Sequence, residues 1–149
     1  MSRGRGAEYG AGERVLDCGM RLVRQPEGSA LCGQCCVAMV AGVSLRRAIA
    51  AVGVEFTERG TETRQIVAGL RALGVRCSGR LRRVSRARPV LPARCLVAII
   101  QYRPDADGER QPTRSHWMVS WDGQIYDPGE RWPEGFAGWK ITTYLEIMG

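Results

Sequence analysis

The sequence predicts an α+β domain, because helical periodicity fills its first half and β-rich segments fill its second. Three observations carry that expectation. Residues 32–73 hold three stretches with apolar residues at helical spacing, each closed by a glycine. From residue 75 onward the spacing gives way to short apolar runs rich in Val, Ile, Trp and Tyr. An Asp122-Gly123 pair between two such runs marks a tight hairpin, since both turn positions favour positive φ. Helices first and antiparallel strands afterwards make two layers, with a cleft expected between them.

Each element has its own signal. Residues 1–13 are rich in Gly, Arg and Glu without an apolar period, so they read as a flexible basic arm ahead of a domain spanning 14–149. Residues 14–24, with Val15, Leu16, Met20, Leu22 and Val23, read as a short strand. A polar loop, Pro26-Glu27-Gly28-Ser29-Ala30-Leu31, leads into a first helix from Cys32 to Ala41, where Cys36, Met39, Val40 and Val43 form a stripe and Gly42 supplies the stop. Ser44 is a good N-cap for a helix from Leu45 to Val52, which Gly53 ends. Thr61 or Thr63 is expected to cap a third helix running to about Leu73, with Ile66, Val67, Leu70 and Leu73 inward and Gly74 as its end. Residues 75–84 alternate weakly, residues 95–102 read as a buried strand, and 104–113 as a charged, mobile loop. A strand from His116 to Trp121, its return from Gln124 to Pro128, and a final strand over 139–147 complete the pattern. There are no internal repeats.

Length and composition narrow the function classes. At 149 residues and 44% hydrophobic content, the chain has material for one domain with a real core. No apolar run reaches the roughly 18–20 residues that span a bilayer, and the basic N-terminus lacks the apolar stretch of a secretory signal. A cytoplasmic location is the expectation, with export as an effector left open. The net charge is +7, carried almost wholly by arginine, since Lys140 is the only lysine. The densest basic run holds Arg80, Arg82, Arg83, Arg86 and Arg88 without interleaved aromatic residues. It reads as a charged strand edge or loop, so nucleic acid is not the expected partner.

Six cysteines invite a disulfide reading, but Cys32, Cys35 and Cys36 crowd one helical turn while Cys18, Cys77 and Cys95 stand apart. Reduced thiols are expected. Zinc would need a second Cys/His pair at ligand spacing, and none is present, so neither a metal nor another cofactor is expected.

His116 is the only histidine. If the hairpin pairs Trp121 with Gln124, then Ser120 faces Ile125, Val119 faces Tyr126 and Met118 faces Asp127. His116 then shares Met118's face and lies diagonal to Asp127, about 7–8 Å away at the backbone and within side-chain reach. A carboxylate there fixes the tautomer of a base. Cys32, at the start of a helix, is the matching nucleophile, because a helix N-terminus and a neighbouring imidazolium both favour a thiolate. Gly33 permits close backbone approach, and the Gln25 side-chain amide offers an oxyanion donor.

Those residues resemble a known family. The run Cys32-Gly33-Gln34-Cys35-Cys36-Val37-Ala38-Met39-Val40, with Gln25 upstream and His116-Trp117…Asp127-Pro128 downstream, is similar to the C39 (bacteriocin-processing) type of papain-like cysteine peptidase. The likeness runs from about Gln25 to Pro128. It implies a papain-like α+β fold with Cys32 as nucleophile, His116 as base, Asp127 as orienting acid and Gln25 as oxyanion donor. It also implies a peptide or protein substrate cut after small, Gly-Gly-like residues. Gln25 stands seven residues before Cys32 where the family has six, and Leu31 stands where an acidic residue often precedes the nucleophile. Papain's own pattern, with its second cysteine reactive, would select Cys35 instead.

Other readings stay beside this one. The same machinery carries out deamidation, transamidation or removal of a ubiquitin-like tag, and it serves toxin effectors. Cys32-Gly33-Gln34-Cys35 also resembles a thioredoxin-type redox pair, although a polar loop rather than a buried strand leads into it. A non-catalytic binding module of the same fold is the blandest alternative. Cys36, Cys18, Cys77 and Cys95 read as core thiols. Trp117, Trp121, Trp132 and Trp139 read as core or cleft wall.

Overall fold

A computed structural model describes residues 13–15, 20–26, 29, 31–53, 62–85, 87, 90–104, 110–129 and 139–148. The arm over 1–12, Cys18, Trp132 and two arginines of the basic run, Arg86 and Arg88, lie outside them. The element order is β1 (Glu13–Val15), β2 (Arg21–Val23), α1 (Cys32–Ala41), α2 (Leu45–Val52), α3 (Thr63–Ala72), β3 (Arg76–Cys77), β4 (Arg82–Arg83), β5 (Arg94–Pro104), β6 (Arg110–Trp121), β7 (Gln124–Tyr126) and β8 (Trp139–Met148). Among the described residues the fold is therefore mixed α/β, with three helices and an antiparallel sheet ordered β3-β8-β5-β6-β7, and β4 beside β3 on β8. No single helix in that set is long and apolar enough to cross a membrane.

The helix boundaries follow local chemistry. Gly42 ends α1 in the left-handed region at φ 70°, and the chain then bends by 111° into α2. Ser44 Oγ accepts from Arg47 N at 3.1 Å, capping α2, and Gly53 ends it at φ 82°. The cap of α3 differs from the expected threonines. Thr63 is already helical, and Glu62 forms a capping box in which its own N–H donates to Gln65 Oε1 at 2.7 Å. A carboxylate reaches the orphan N–H groups as a hydroxyl does, and Gln65 at the third helical position completes the pair.

Helix α1 also departs from its expected stripe. Cys32 through Met39 are all buried, whereas Val40 is only partly so. The helix is enclosed by β2, β6, α2 and α3, so it has no solvent face along most of its length. α3 keeps its predicted inner stripe: Ile66, Val67 and Leu70 are buried and Leu73 packs against the same core.

The sheet separates two apolar clusters. Leu96, Trp117, Val119 and Leu145 join the helices in the main core, while Cys95, Val97 and Met118 form a second cluster with Leu91 and Tyr144. Side-chain alternation along each strand explains the division. The hairpin register is as expected for three pairs: Val119–Tyr126, Ser120–Ile125 and Trp121–Gln124. β7 ends at Tyr126, so Asp127 leaves the ladder. The charged loop is shorter than expected, because Arg110–Ser115 extend β6 and pair with Ile100–Pro104 of β5. The weakly alternating region 75–84 is two separate two-residue strands on β8, and 14–24 holds two strands, β1 and β2, paired antiparallel.

Candidate active site

Cys32 is the first residue of α1. Leu31 at the N-cap makes no side-chain hydrogen bond, and the first turn holds no acidic residue. The first intrahelical-type bond formed here is from Cys35 N to Leu31 O, at 2.9 Å. The backbone N–H groups of Cys32 and Gly33 lie in the first turn, where helix geometry gives them no intrahelical acceptor. Their positive field falls on whatever charge develops at the Cys32 sulfur or beside it.

β6 brings His116 to this helix end. The imidazole is buried, 7% exposed, and forms a hydrogen bond with the Cys32 thiol. Its Nε2 lies 2.5 Å from Asp127 Oδ1, which leaves Nδ1 as the ring nitrogen for the sulfur. Asp127 Oδ1 also accepts from Gly129 N at 2.8 Å. This second bond is an Asx-type turn across Asp127-Pro128-Gly129, so one carboxylate oxygen serves both the turn and the His116 contact. Asp127 is set just past β7, where the chain curls away from the sheet toward α1.

Strict alternation would keep His116 on the Met118 side, in the cluster without helix residues. It instead reaches Cys32. Pairing between β5 and β8 slips between Ala98 and Ile99, and Ile99 is the residue opposite His116.

A backbone bond fastens the two halves. Gln25 N donates to Pro128 O at 2.7 Å, so the segment entering α1 is tied to the turn that presents Asp127. The Gln25 side chain donates through Nε2 to Ser29 O. An amide nitrogen carries two N–H bonds, so one remains for another acceptor. Cys32, His116 and Asp127 are therefore in one contiguous group, and Gln25 adjoins it through its backbone. Sequence reasoning missed Gly129 and the Pro128 carbonyl as supports. The Asp-Pro-Gly triplet was their available signal.

Electrostatics distinguish these groups. Burial alone pushes the His116 imidazole toward its neutral form. Hydrogen bonds with Asp127 and Cys32, and attraction to both, outweigh it and raise the pKa from 6.5 to about 9. Burial holds the Cys36 thiol well above its ordinary value, and the nearby Cys32, Cys35 and Asp127 add to the effect. Cys36 accordingly stays protonated and inert. Burial likewise pushes Cys95 up to about 11, against a hydrogen bond from Ser120, and raises Cys77. None of the five described cysteines is disulfide-bonded. Among the described residues no group of three His, Cys, Asp or Glu side chains is arranged to hold a metal.

Comparison of the sequence with protein-family models and with curated proteins yields no match.

Proposed function

We propose that this chain is a papain-like cysteine peptidase of the C39 type, hydrolysing a peptide or isopeptide bond through a thioester on Cys32. The observation that carries the reading is the double contact of His116, whose ring meets Cys32 on one side and Asp127 on the other. Transfer of the Cys32 proton to His116 gives the reacting thiolate–imidazolium pair, a form that a helix N-terminus favours. The sulfur adds to the carbonyl carbon, and the electron pair moves to the oxygen. The Cys32 N–H and the second Gln25 amide hydrogen are the donors for that oxyanion. His116 gives its proton to the departing amine, leaving a thioester on Cys32. The neutral imidazole then takes a proton from water, which attacks the thioester and releases the carboxylate. Asp127 holds the ring through both steps and fixes its tautomer.

The acyl-enzyme is shared by deamidases, transamidases and enzymes that remove protein tags, so the acceptor decides the reaction. Small residues beside the cut bond, Gly-Gly-like, are what the resemblance implies for the substrate. The deciding experiment combines an iodoacetamide-type probe with a thioester trap. At neutral pH the probe labels the wild-type chain at Cys32, Cys32→Ala loses that label, and a peptide library leaves an acyl mass on Cys32. Labelling that persists unchanged in Cys32→Ala removes Cys32 from the mechanism.

A further inference from the structure

Two sulfurs beside the nucleophile take no part in acyl transfer. Cys35 is fully buried, one helical turn beyond Cys32 on the same side of α1, and both are reduced thiols. In regular helix geometry, residues three apart have Cα atoms about 5 Å from each other. That lies inside the roughly 4.4–6.8 Å window that a disulfide requires. The β-carbons must still draw closer, so one partner has to yield. Cys32 is the one able to do so. It opens the helix, its N–H closes no intrahelical bond, Leu31 before it is uncapped, and Gly33 after it allows wide φ and ψ. Cys36, also fully buried, lies four residues on, where regular helix geometry sets its Cα farther from that of Cys32, at about 6 Å.

We propose that Cys35 is a resolving thiol that protects Cys32 against peroxide-class oxidants by closing a reversible Cys32–Cys35 disulfide. This rests on the reading of Cys32 as an activated thiol. The Cys32 sulfur attacks one peroxide oxygen, the O–O bond breaks, and the other oxygen leaves with a proton as water or alcohol. Sulfur loses two electrons and the peroxide gains them, giving a sulfenic acid on Cys32. The Cys35 sulfur then attacks the Cys32 sulfur, the S–O bond breaks, and the hydroxyl departs with the Cys35 proton as water. A dithiol reductant restores both thiols by exchange and is itself oxidised. Without Cys35, a second peroxide carries Cys32 on to the sulfinic acid, which such reductants do not reverse.

The experiment uses the full reduced chain, hydrogen peroxide and peptide mapping by mass. Wild type is expected to lose the mass of two hydrogen atoms, to show a Cys32–Cys35 linked peptide, and to regain alkylation of Cys32 after dithiothreitol. Cys35→Ser is expected to gain oxygen at Cys32 and to lose that recovery, while Cys36→Ser behaves as wild type. Should Cys35→Ser fold poorly, the wild-type map alone decides. A linkage to Cys36, or sulfinic Cys32 in the wild type at low peroxide, overturns the proposal. A chain that forms the linkage but cleaves no peptide would leave this device standing and remove the hydrolase reading. A working peptidase with no linkage would do the reverse.

Discussion

His116 Nε2 and Asp127 Oδ1 are 2.5 Å apart, and both side chains are largely shielded from water, at 7% and 14% exposure. The carboxylate is itself held by Gly129 N, so it cannot swing away without breaking the turn. This pair sets the charge of the imidazole that faces Cys32. Replacing Asp127 by Asn keeps the shape and removes the charge that raises the His116 pKa. The expected outcome is a fall in kcat/KM of about 10²–10⁴-fold, the range of a positioned acid–base group. The alkaline limb of the wild-type pH profile, expected near pH 9 where His116 loses its proton, should move toward neutral pH. An Asp127→Asn profile whose limb stays in place would mean that another group sets it.

The same shift makes a stability prediction with a definite sign. The folded pKa of His116, about 9, lies above its unfolded value of 6.5. The folded state therefore binds this proton more tightly. Its stabilisation is fully present below pH 6.5, declines as pH rises toward 9, and is absent above that. Denaturant midpoints measured from pH 6 to pH 9 should fall for wild type and fall less for Asp127→Asn. Readings should stop near 9, because the raised pKa of Cys95 adds a loss of the same sign beyond it. A flat wild-type curve over that window would contradict the charged state assigned to His116.

Gln25 supplies a sharper test of the oxyanion role, because its amide also serves the loop through Ser29 O. Alkylation of Cys32 develops no oxyanion, whereas acyl transfer does. Gln25→Ala is expected to lower kcat by about 10²–10³-fold, the cost of one such donor, while leaving the alkylation rate near wild type. Equal losses in both assays would assign Gln25 to loop structure, through Ser29, rather than to the transition state.

Much of this arrangement was legible in the residues, and the misses have physical causes. Gly42, Gly53 and Ser44 marked helix limits because left-handed φ and hydroxyl caps are local properties. Three pairs of the hairpin register followed from Asp122-Gly123, whose positive φ values, 49° and 89°, set the turn. What escaped was non-local. The polar stretch Arg110–Ser115 has no apolar alternation, yet it is a strand because the β5 backbone lies beside it to pair. The burial of α1 on nearly every side depends on four other elements, of which β6 is the most distant in sequence. His116 facing the helix rather than Met118's cluster is a tertiary placement that no pattern within β6 encodes.

The scaffold behind the site rests on a close helix crossing that a single methyl group tests. Gly69 of α3 is buried against α2, and a β-carbon built there would stand 2.7 Å from Val52 Cγ2, 3.2 Å from its Cα and 3.3 Å from its N. The first contact is with a short, branched side chain and the other two are with backbone, so the helices themselves must part. Alanine would gain about 1 kcal/mol of helix propensity over glycine, against about 1–3 kcal/mol for forcing extra volume into a packed interior. Gly69→Ala is therefore expected to destabilise the fold on balance, by about 1 kcal/mol. Removing the nearest atom in Val52→Ala should relieve part of the clash, so the double variant is less destabilised than the sum of the two singles. Thermal or denaturant unfolding of the four proteins measures the cycle. Strict additivity would show that the helices already have room to separate at Gly69.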